Sequence, residues 1–396
     1  MQTIVLKSKK SCEEQFNHFE LSEDSFIEIS KRSIPGEWVQ IQKEKTYWLG
    51  YVNLSNERFP VKILEQLNKE IPISANEEKI AQQFLKIKLE KAISYRQKFS
   101  NLKNGCRLVY GASDALPGLI VDEYQDAVLV QINTAGIDRF RSFIKTSLGK
   151  LTEKDVYFLD NKTYRKEEGL PEHDTELPNK ITVMENDIQY EVSFENMQKV
   201  GYYYDHRMCR KMLAGILNLY TGKLEKGLDL FCYAGSWGLT MLKGPVEEVE
   251  FVDQGNFSET IKNNISKNNI NKKNVFSRSD VFKFLETARK KSYDIIVCDP
   301  PAFSKSRQTQ DNALVGYKKL YKMILPLLKE NSFLVVASCT KNVTFQDLDQ
   351  IVNTEAKKHA LKPLLLDLGL QGFDHKISSL KDKGNYIKCL IYYFEK

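Results

Sequence analysis

The order of hydrophobic and polar positions divides the chain into three regions. In residues 1–73, short stretches alternate apolar and polar residues with the two-residue period of a β-strand. Residues 77–96 follow the helical period instead, with Ile80, Phe84 and Ile87 on one side. After residue 198, short apolar stretches alternate regularly with helical ones. The pattern therefore predicts a β-rich domain at 1–73, a central α+β domain at 74–195 and an α/β domain at 196–396.

The first two domains are predicted to be small. Strands of the β-rich domain are expected at 37–41, 47–52 and 60–64. In the central domain we expect helices at 77–96 and 137–148 and strands at 107–110, 118–124, 127–132 and 156–159. A hairpin at 182–194 is expected to close this domain.

The third domain has the strand–helix alternation of a doubly wound sheet. Its predicted strands are 228–231, 249–252, 275–277, 295–298, 333–337, 364–366 and 387–393. Its predicted helices are 205–219, one beginning at 238, 256–268, 281–289, 317–328 and 344–358. Ligands of such sheets bind at the carboxyl ends of the strands, so polar motifs at these ends are the candidates for a site.

Composition excludes several classes of protein. No stretch reaches the roughly 20 apolar residues of a membrane span, and the N-terminus lacks the apolar segment and cleavage site of a signal peptide. We therefore expect a cytoplasmic protein without a membrane partner. The 7 cysteines are scattered and form no C-x-x-C pair, and the 5 histidines are not at metal-ligand spacing from them. Neither a disulfide framework nor a metal site is expected.

Charge is unevenly distributed along the chain. Residues 1–195 carry 27 Lys and Arg against 31 Asp and Glu, whereas residues 196–396 carry 31 against 21. A basic second half suits a polyphosphate partner such as a nucleic acid, although a solvated lysine-rich surface has the same composition.

The stretch 227–238 (GLDLFCYAGSWG) has the pattern of a buried strand, a tight glycine turn and a helix start. The next predicted strand is followed by Asp253, and a carboxylate at this position can accept hydrogen bonds from ribose hydroxyls. Asp229 lies within the first strand and only Gly235 falls at the sharp turn, which favours S-adenosylmethionine over a dinucleotide. A glycine turn required only for packing would have the same pattern.

Two further strand ends carry residues suited to chemistry on a nucleobase. Asp299 begins the rigid turn 299–303 (DPPAF), where a carboxyl group could exchange a proton with a base and Phe303 could stack on it. Cys339 follows the strand 333–337, and its thiolate could add to C6 of a pyrimidine so that C5 becomes nucleophilic. The thiolate would need activation by the site or by Lys341. A plain turn and a structural cysteine are the alternatives.

Other residues near these strand ends have two interpretations. Asp280 could accept from an adenine amino group, or it could cap the helix that follows. The tyrosines in 198–207 (QKVGYYYDHR) could cover a cofactor, stack on a base or pack between domains. His206 is expected to bond locally rather than to act in catalysis, and Cys232 and Cys298 are expected to be buried core residues.

Taken together, these motifs resemble the bacterial 23S rRNA (cytosine-5)-methyltransferases, which combine a PUA domain, a central α+β domain and a C-terminal Rossmann-like domain. The resemblance covers almost the whole chain. The matching stretches are 95–96 (YR), 107–111 (RLVYG), 114–122 (DALPGLIVD), Arg165, 168–170 (EGL), 198–207, 229–235 (DLFCYAG), 299–303 and 338–339 (SC).

The resemblance implies a site as well as a fold. It implies that Cys339 attacks C6, that Asp299 assists at N3 and that S-adenosylmethionine is the methyl donor. The implied cofactor-binding residues are Gln198, Lys199, Tyr203, Asp205, Arg207, Asp229, Phe231, Tyr233, Ala234, Gly235, Ser236, Asp253, Asp280, Asp299 and Pro300. The implied partner is 23S rRNA or a precursor of the large ribosomal subunit, and a homodimer is possible. Alternatives are a guanine N7 or N2 methyltransferase, in which Cys339 is idle, and a non-catalytic RNA-binding assembly factor.

Overall fold

The computed structural model describes residues 1–6, 20–21, 26–28, 33–102, 105–160, 162–173, 177–194, 201–303 and 310–395. These residues form two compact units. The first comprises Met1–Pro178 with Asp374–Lys376, and the second comprises Asn179–Phe373 with Ile377–Lys396. In the described part of the chain, each helix is too short or too polar to span a lipid bilayer.

The first unit contains two sheets. The six-stranded sheet has the order β2-β6-β5-β4-β1-β3, and its strands are β1 (Thr3–Leu6), β2 (Glu20–Leu21), β3 (Phe26–Glu28), β4 (Glu37–Lys43), β5 (Thr46–Val52) and β6 (Val61–Leu67). The four-stranded sheet has the order β10-β9-β8-β7, and its strands are β7 (Cys106–Tyr110), β8 (Leu119–Glu123), β9 (Ala127–Ile132) and β10 (Asp155–Phe158). The helices of this unit are α1 (Glu77–Gln97), α2 (Ala135–Asp138), α3 (Arg141–Thr152) and α4 (Lys162–Glu167).

One hydrophobic core connects the two sheets of the first unit. Trp38 of β4 is fully buried and donates from its indole N–H to the carbonyl of Gly136 at 3.0 Å. The Tyr51 hydroxyl of β5 donates to the carbonyl of Pro117 at 2.8 Å. The boundary predicted after residue 73 therefore lies within a region of shared packing. The division into three domains, with a PUA-like first domain, stays a prediction.

The second unit is built on a seven-stranded sheet of order β15-β14-β13-β16-β17-β19-β18. Its strands are β13 (Leu224–Leu230), β14 (Val246–Asp253), β15 (Lys273–Arg278), β16 (Tyr293–Cys298), β17 (Leu328–Ser338), β18 (Lys362–Gly369) and β19 (Lys388–Glu395). The first five are parallel, whereas β19 runs antiparallel to both of its neighbours. The α/β fold with a doubly wound sheet is thereby confirmed. Its strand order reverses between β13 and β16, which is where ligands of this fold bind.

Helices pack on both faces of this sheet. They are α5 (Arg207–Leu219), α6 (Ser236–Lys243), α7 (Ser258–Lys267), α8 (Val281–Thr287), α9 (Gln310–Ile324) and α10 (Phe345–Lys357). Leu228 and Leu230 of β13 belong to the core that α8, α9 and α10 cover. Gly227 faces the other way, towards Met241 of α6. All six residues of β16 are buried, as expected for a central parallel strand covered on both sides.

The structure corrects two of the predicted elements. The hairpin of β11 (Lys180–Glu185) and β12 (Ile188–Ser193) belongs to the second unit. The side chains of Asn264, in α7, and Asn268, at the C-terminal cap of α7, accept hydrogen bonds from the backbone of β12. The helix predicted at 317–328 spans 310–324 and continues as a 3₁₀ turn, Leu325–Leu327. Pro326 in this turn has no N–H to continue an α-helix.

Candidate functional site

The polar motifs lie at one edge of the seven-stranded sheet. Gly235 follows β13, Asp253 is the last residue of β14, Asp280 follows β15, Asp299 follows β16 and Cys339 follows β17. Because these five strands are parallel, their carboxyl ends meet at the same edge. The site is therefore assembled from five strand ends, with the turn after β13 and Asp299 flanking the point where the strand order reverses.

The turn after β13 has an unusual backbone conformation. Phe231, Tyr233 and Gly235 have φ angles of 61°, 48° and 81°, in the left-handed region that side chains disfavour. The turn is held by a bond from Gly235 N–H to the Cys232 carbonyl at 2.8 Å. Strained turns of this kind persist where surrounding structure fixes them, and they cluster at ligand sites.

Asp229 lies beneath this turn and is fully buried. Its Oδ2 accepts a bond from the backbone N–H of Gly238 at 2.7 Å, whereas its Oδ1 has no hydrogen-bond partner in the described structure. Burial raises the pKa of Asp229 well above its usual range, although the bond from Gly238 acts in the opposite direction. The visible role of this side chain is to fix the start of α6.

Asp253 is suited to hold a ribose. Its two carboxylate oxygens accept from the backbone N–H groups of Tyr233 at 3.1 Å and Gly255 at 2.8 Å, so the side chain is fixed next to the turn. It is also partly exposed. A carboxylate offers about four acceptor positions, so this one can still accept from a pair of hydroxyl groups. These acceptor positions therefore fit the ribose hydroxyl groups of S-adenosylmethionine.

Asp280 caps α8 by accepting from the Lys283 backbone N–H at 3.1 Å. This is one of the two roles that the sequence left open for it. The carboxylate is also exposed, so capping does not occupy its whole surface. Its proposed contact with adenine stays a prediction.

Aromatic rings surround the outer side of the turn. The ring of Tyr233 packs edge-on against Tyr203 at 5.2 Å and against Phe257 at 5.0 Å, and its hydroxyl donates to the carbonyl of Gly201 at 2.9 Å. Tyr203 remains 42% exposed. A half-exposed ring beside a nucleotide-type turn can cover a flat ligand.

Other predicted cofactor residues have structural partners of their own. Arg207 is buried, with its guanidinium over the Tyr204 ring at 4.6 Å and 3.7 Å from Glu185 of the hairpin. Asp205 accepts from the Tyr386 hydroxyl at 2.7 Å.

The remaining predicted positions lie along the turn or outside the described residues. Phe231 packs on the core, the Ala234 and Ser236 carbonyls accept side-chain bonds from α7 and α6, and Pro300 follows Asp299. Gln198 and Lys199 lie outside the described residues.

Asp299 is held by two neighbours, Trp237 and His206. Its Oδ2 accepts from the indole N–H of Trp237 at 2.9 Å. Its Oδ1 lies 3.3 Å from Nε2 of His206, a close electrostatic contact without hydrogen-bond geometry. Burial opposes the charge on His206, but the carboxylate of Asp299 outweighs it, so the pKa of His206 is raised well above its usual value. The expectation that His206 bonds locally rather than acting in catalysis stays a prediction, and it did not include this contact with Asp299.

Cys339 is partly exposed, in contrast to the five other described cysteines, which are buried. Its Sγ lies 3.9 Å from the carbonyl of Pro300, which places the thiol against the turn that carries Asp299. Burial raises the pKa of the Cys339 thiol to about 12, and the carboxylates of Asp299 and Asp205 act in the same direction. Asp299, after β16, therefore lies close enough to Cys339, after β17, for its charge to disfavour the thiolate.

A network of hydroxyl groups, absent from the sequence predictions, fixes the strand end that carries Cys339. The Tyr317 hydroxyl of α9 donates to Ser338 Oγ at 2.8 Å and lies 2.9 Å from Thr340 Oγ1. Thr340 Oγ1 also accepts from the backbone N–H of Phe303 at 3.3 Å. The ring of Phe303 packs on Tyr317 at 4.8 Å. These bonds join the turn after Asp299 to the segment that carries the thiol.

The cation coupled to the thiol is not the one expected. Lys341 is exposed, and its charge acts on Asp382. Lys388 of β19 is buried instead, and its charge lowers the pKa of Cys339 against the effect of burial. No cluster of metal-ligating side chains occurs among the described residues.

Comparison with known proteins agrees with this arrangement. A family profile described as "Conserved hypothetical protein 95" matches residues 207–366. The fold is similar to that of a candidate SAM-dependent methyltransferase from Streptococcus mutans, with a TM-score of 0.75, 19% identity and coverage of 99% and 100% of the two chains. It is also similar to a candidate methyltransferase solved with SAH, with a TM-score of 0.76 at the same identity and coverage.

Two curated relatives are similar in sequence. Ribosomal RNA large subunit methyltransferase I of Shewanella amazonensis is 29% identical over 378 residues, 92% of each chain. The protein of the same name from Aeromonas hydrophila is 33% identical over 298 residues, 72% of this chain and 74% of that one. This chain therefore belongs to the ribosomal RNA large subunit methyltransferase I family.

Proposed function

We propose that this protein transfers the methyl group of S-adenosylmethionine to C5 of a cytosine in 23S rRNA, through a transient bond between Cys339 and C6 of the base. The observation that carries the proposal is the position of a partly exposed thiol, Cys339, whose Sγ lies 3.9 Å from the carbonyl of Pro300 in the turn that begins with Asp299. A methyl transfer to a ring nitrogen would have no need of the thiol. The family supports ribosomal RNA as substrate.

The cofactor would lie on the strained turn after β13. Asp253 would accept from its ribose hydroxyls, and Asp280 would contact the adenine. Tyr203 would cover it, and the backbone of residues 231–236 would line it. Gln198, Lys199, Asp205, Arg207, Asp299 and Pro300 complete the proposed set, with Asp229 acting through the turn that it fixes. When bound, S-adenosylmethionine supplies an electrophilic methyl group.

The protein's own residues would activate the base. The thiolate of Cys339 forms a bond to C6 while N3 takes up a proton in a hydrogen bond to Asp299, so the electron pair of the C5–C6 double bond becomes available at C5. After methylation, loss of the C5 proton restores the double bond and expels the Cys339 thiolate, and N3 releases the proton that it took up. Trp237 and His206 would keep the Asp299 carboxyl group in one orientation throughout.

The substrate must present C6 to the thiol. Because C6 of a paired cytosine is covered by its neighbours in the stack, we propose that the target nucleotide is single-stranded or flipped out. The basic second half of the chain would bind the RNA phosphates, and a PUA-like first domain would provide a further RNA contact. Cytoplasmic location and a homodimer also stay predictions, and sedimentation velocity would test the latter.

The deciding experiment uses labelled S-adenosylmethionine and rRNA from cells that lack this gene, followed by nucleoside analysis. The proposal expects label in 5-methylcytidine. Label in a methylguanosine would refute the role of Cys339. Absence of label from naked rRNA would be followed by isolated large subunits, and failure there too would refute the activity.

The role of the thiol is tested separately. Cys339→Ala should abolish transfer while leaving the affinity for S-adenosylhomocysteine unchanged. Cys106→Ala, which removes a buried thiol from the first unit, is the matched control and should retain activity. RNA with 5-fluorocytosine at the target should stay attached to Cys339, because fluorine cannot leave C5 as a cation. A fully active Cys339→Ala enzyme would contradict the covalent route.

A further inference from the structure

Lys388 occupies an unusual position for a lysine. It is the first residue of β19, where the antiparallel register places it opposite Ser338, the residue before Cys339. It is only 5% exposed. Its Nζ donates to the backbone carbonyl of Thr340 at 2.6 Å, the residue after Cys339. The backbone on both sides of the thiol thus fixes the position of this ammonium group.

Among the residues that the structure describes, this buried charge has no carboxylate partner. No ion pair within 4.0 Å joins Lys388 to an acidic residue in the described ranges, and the carbonyl of Thr340 is a neutral acceptor. The charges that act on it are those of Cys339 and, more weakly, Asp347, which caps α10 through Thr344. A buried ammonium group without an anion is costly. A thiolate on Cys339 would supply that anion.

The other groups facing the thiol oppose its ionisation or are neutral. Asp299 and Asp205 are acidic, and the hydroxyl groups of Tyr203 and Tyr317 are protonated near neutral pH because burial raises the pKa of both. Among the side-chain charges that act most strongly on Cys339 in the described structure, that of Lys388 alone favours the thiolate.

We propose that Lys388 is a positioning residue that stabilises the thiolate of Cys339, and that the ammonium–thiolate pair is the reactive form of the enzyme. The inference rests on the proposed role of Cys339 as nucleophile. It assigns to β19, the antiparallel strand, a function in the reaction. It also explains how a thiol between two carboxylates becomes ionised.

The test measures the thiolate directly by alkylation with iodoacetamide, with the Cys339 adduct quantified by mass spectrometry. Below its pKa, a thiol is alkylated in proportion to its thiolate fraction, so one unit of pKa changes the rate tenfold. At pH 7 we expect Lys388→Met to slow alkylation of Cys339 by about tenfold or more. Lys341→Met is the matched control, since Lys341 is close in sequence but exposed, and it should leave the rate unchanged. Cys339→Ala gives the background.

The pH dependence separates charge from packing. Burial lowers the pKa of Lys388 to about 8, so its positive charge is present at pH 7 and is lost as the pH rises past that value. The ratio of the wild-type alkylation rate to the Lys388→Met alkylation rate should therefore be largest below pH 8 and decrease towards 1 above it. Lys388→Arg keeps its charge throughout this range, so its advantage over Lys388→Met should persist above pH 8.

Two outcomes would overturn the inference. One is equal alkylation of wild type and Lys388→Met at pH 7, with both proteins folded by circular dichroism and able to bind S-adenosylhomocysteine. The other is a ratio that does not change with pH, which would show that Lys388 acts only through packing. Because the assay contains no RNA, it can support the ammonium–thiolate pair even if methylation of cytosine is refuted. Likewise, methylation of cytosine can be established even if the alkylation assay refutes the pair.

Discussion

Replacing Gly238 by alanine tests whether this glycine serves the ligand or the packing of the sheet. Gly238 lies in the first turn of α6, directly above β14. A Cβ atom added there would lie 2.0 Å from Cε1, 2.6 Å from Cζ and 2.8 Å from Cδ1 of Phe251. Phe251 is fully buried and cannot move aside without disturbing its neighbours. The helix must therefore shift outward.

The expected cost follows from three contributions. Overpacking of a buried site costs about 1–3 kcal/mol, and contacts this short place Gly238→Ala at the upper end. An outward shift also stretches the 2.7 Å bond from Gly238 to the buried Asp229, and loss of such a bond costs about 1–3 kcal/mol. Alanine has a higher helix propensity than glycine, which offsets about 1 kcal/mol of this cost. We expect a net destabilisation of about 3–5 kcal/mol, or about 6–20 °C in Tm for a unit of this size.

Gly215 provides a control for which the expected change in stability has the opposite sign. It lies inside α5, and no atom lies within 4 Å of the position that its Cβ would take. Gly215→Ala should therefore stabilise the protein by up to about 1 kcal/mol through helix propensity alone. Both variants would be compared by urea unfolding, with hydrogen exchange of the α6 peptides as a local measure.

Relief by a second substitution strengthens the test. Phe251→Leu removes part of the ring that the methyl group added by Gly238→Ala would contact, so the double variant should lose less stability than the sum of its two single variants. Equal stability of Gly238→Ala and wild type would refute the packing argument. The glycine at this position would then be explained by close approach of a ligand to the backbone.

Three further predictions concern ionisable groups of the site. Asp299→Asn should lower the pKa of His206, because burial would then act without the compensating carboxylate. NMR titration of the imidazole would measure this change, and an unchanged pKa would contradict the contact between His206 and Asp299. Because the folded protein binds the Asp229 proton more tightly than the unfolded chain, the stability from this group is greatest at acid pH and declines as the pH rises towards the raised pKa. Asp229→Asn should flatten that decline in urea unfolding, and an unaltered slope would argue against a raised pKa. Asp253→Ala should weaken binding of S-adenosylhomocysteine by at least about tenfold in calorimetry, which corresponds to about 1.4 kcal/mol, whereas Asp382→Ala should not; equal affinity would remove Asp253 from the ribose site.

The sequence placed the candidate residues at strand ends correctly, because each motif directly follows an apolar strand. Asp253, Asp299 and Cys339 are each within one residue of a strand end, and the period of the strands alone indicates where these ends lie. Because the strands are parallel, these three residues lie at the same edge of the sheet, and no knowledge of side-chain packing is needed to predict this. The same argument fails for the hairpin β11–β12, whose position depends on the side chains of Asn264 and Asn268, which are more than 70 positions further along the chain.

The side chains that tune the site depend on tertiary packing, which periodicity does not describe. His206 reaches Asp299 because the start of α5 and the end of β16 are adjacent in the folded unit, and neither local sequence refers to the other. Trp237 reads as a core residue of α6, and its indole is indeed buried, but its N–H is directed at Asp299. The sequence left two sources of activation open for the thiol, the site itself and Lys341. Adjacency along the chain suggested Lys341, but the fold exposes it.

One signal in the sequence could have identified Lys388 before the fold was known. The segment 387–392 (IKCLIY) is apolar except for this lysine, so a strand that is buried on both faces has to accommodate a charge. Local rules are broken mainly at functional sites, because elsewhere the cost of a buried ammonium group has nothing to offset it. The register of β19 against β17 places Lys388 opposite Ser338, the residue before Cys339, and the thiolate of Cys339 is the anion that we propose offsets this cost. A polar residue that interrupts a buried strand is therefore as informative as the glycine turn and the Asp-Pro-Pro motif, and in this chain it indicates the lysine that we propose stabilises the thiolate of Cys339.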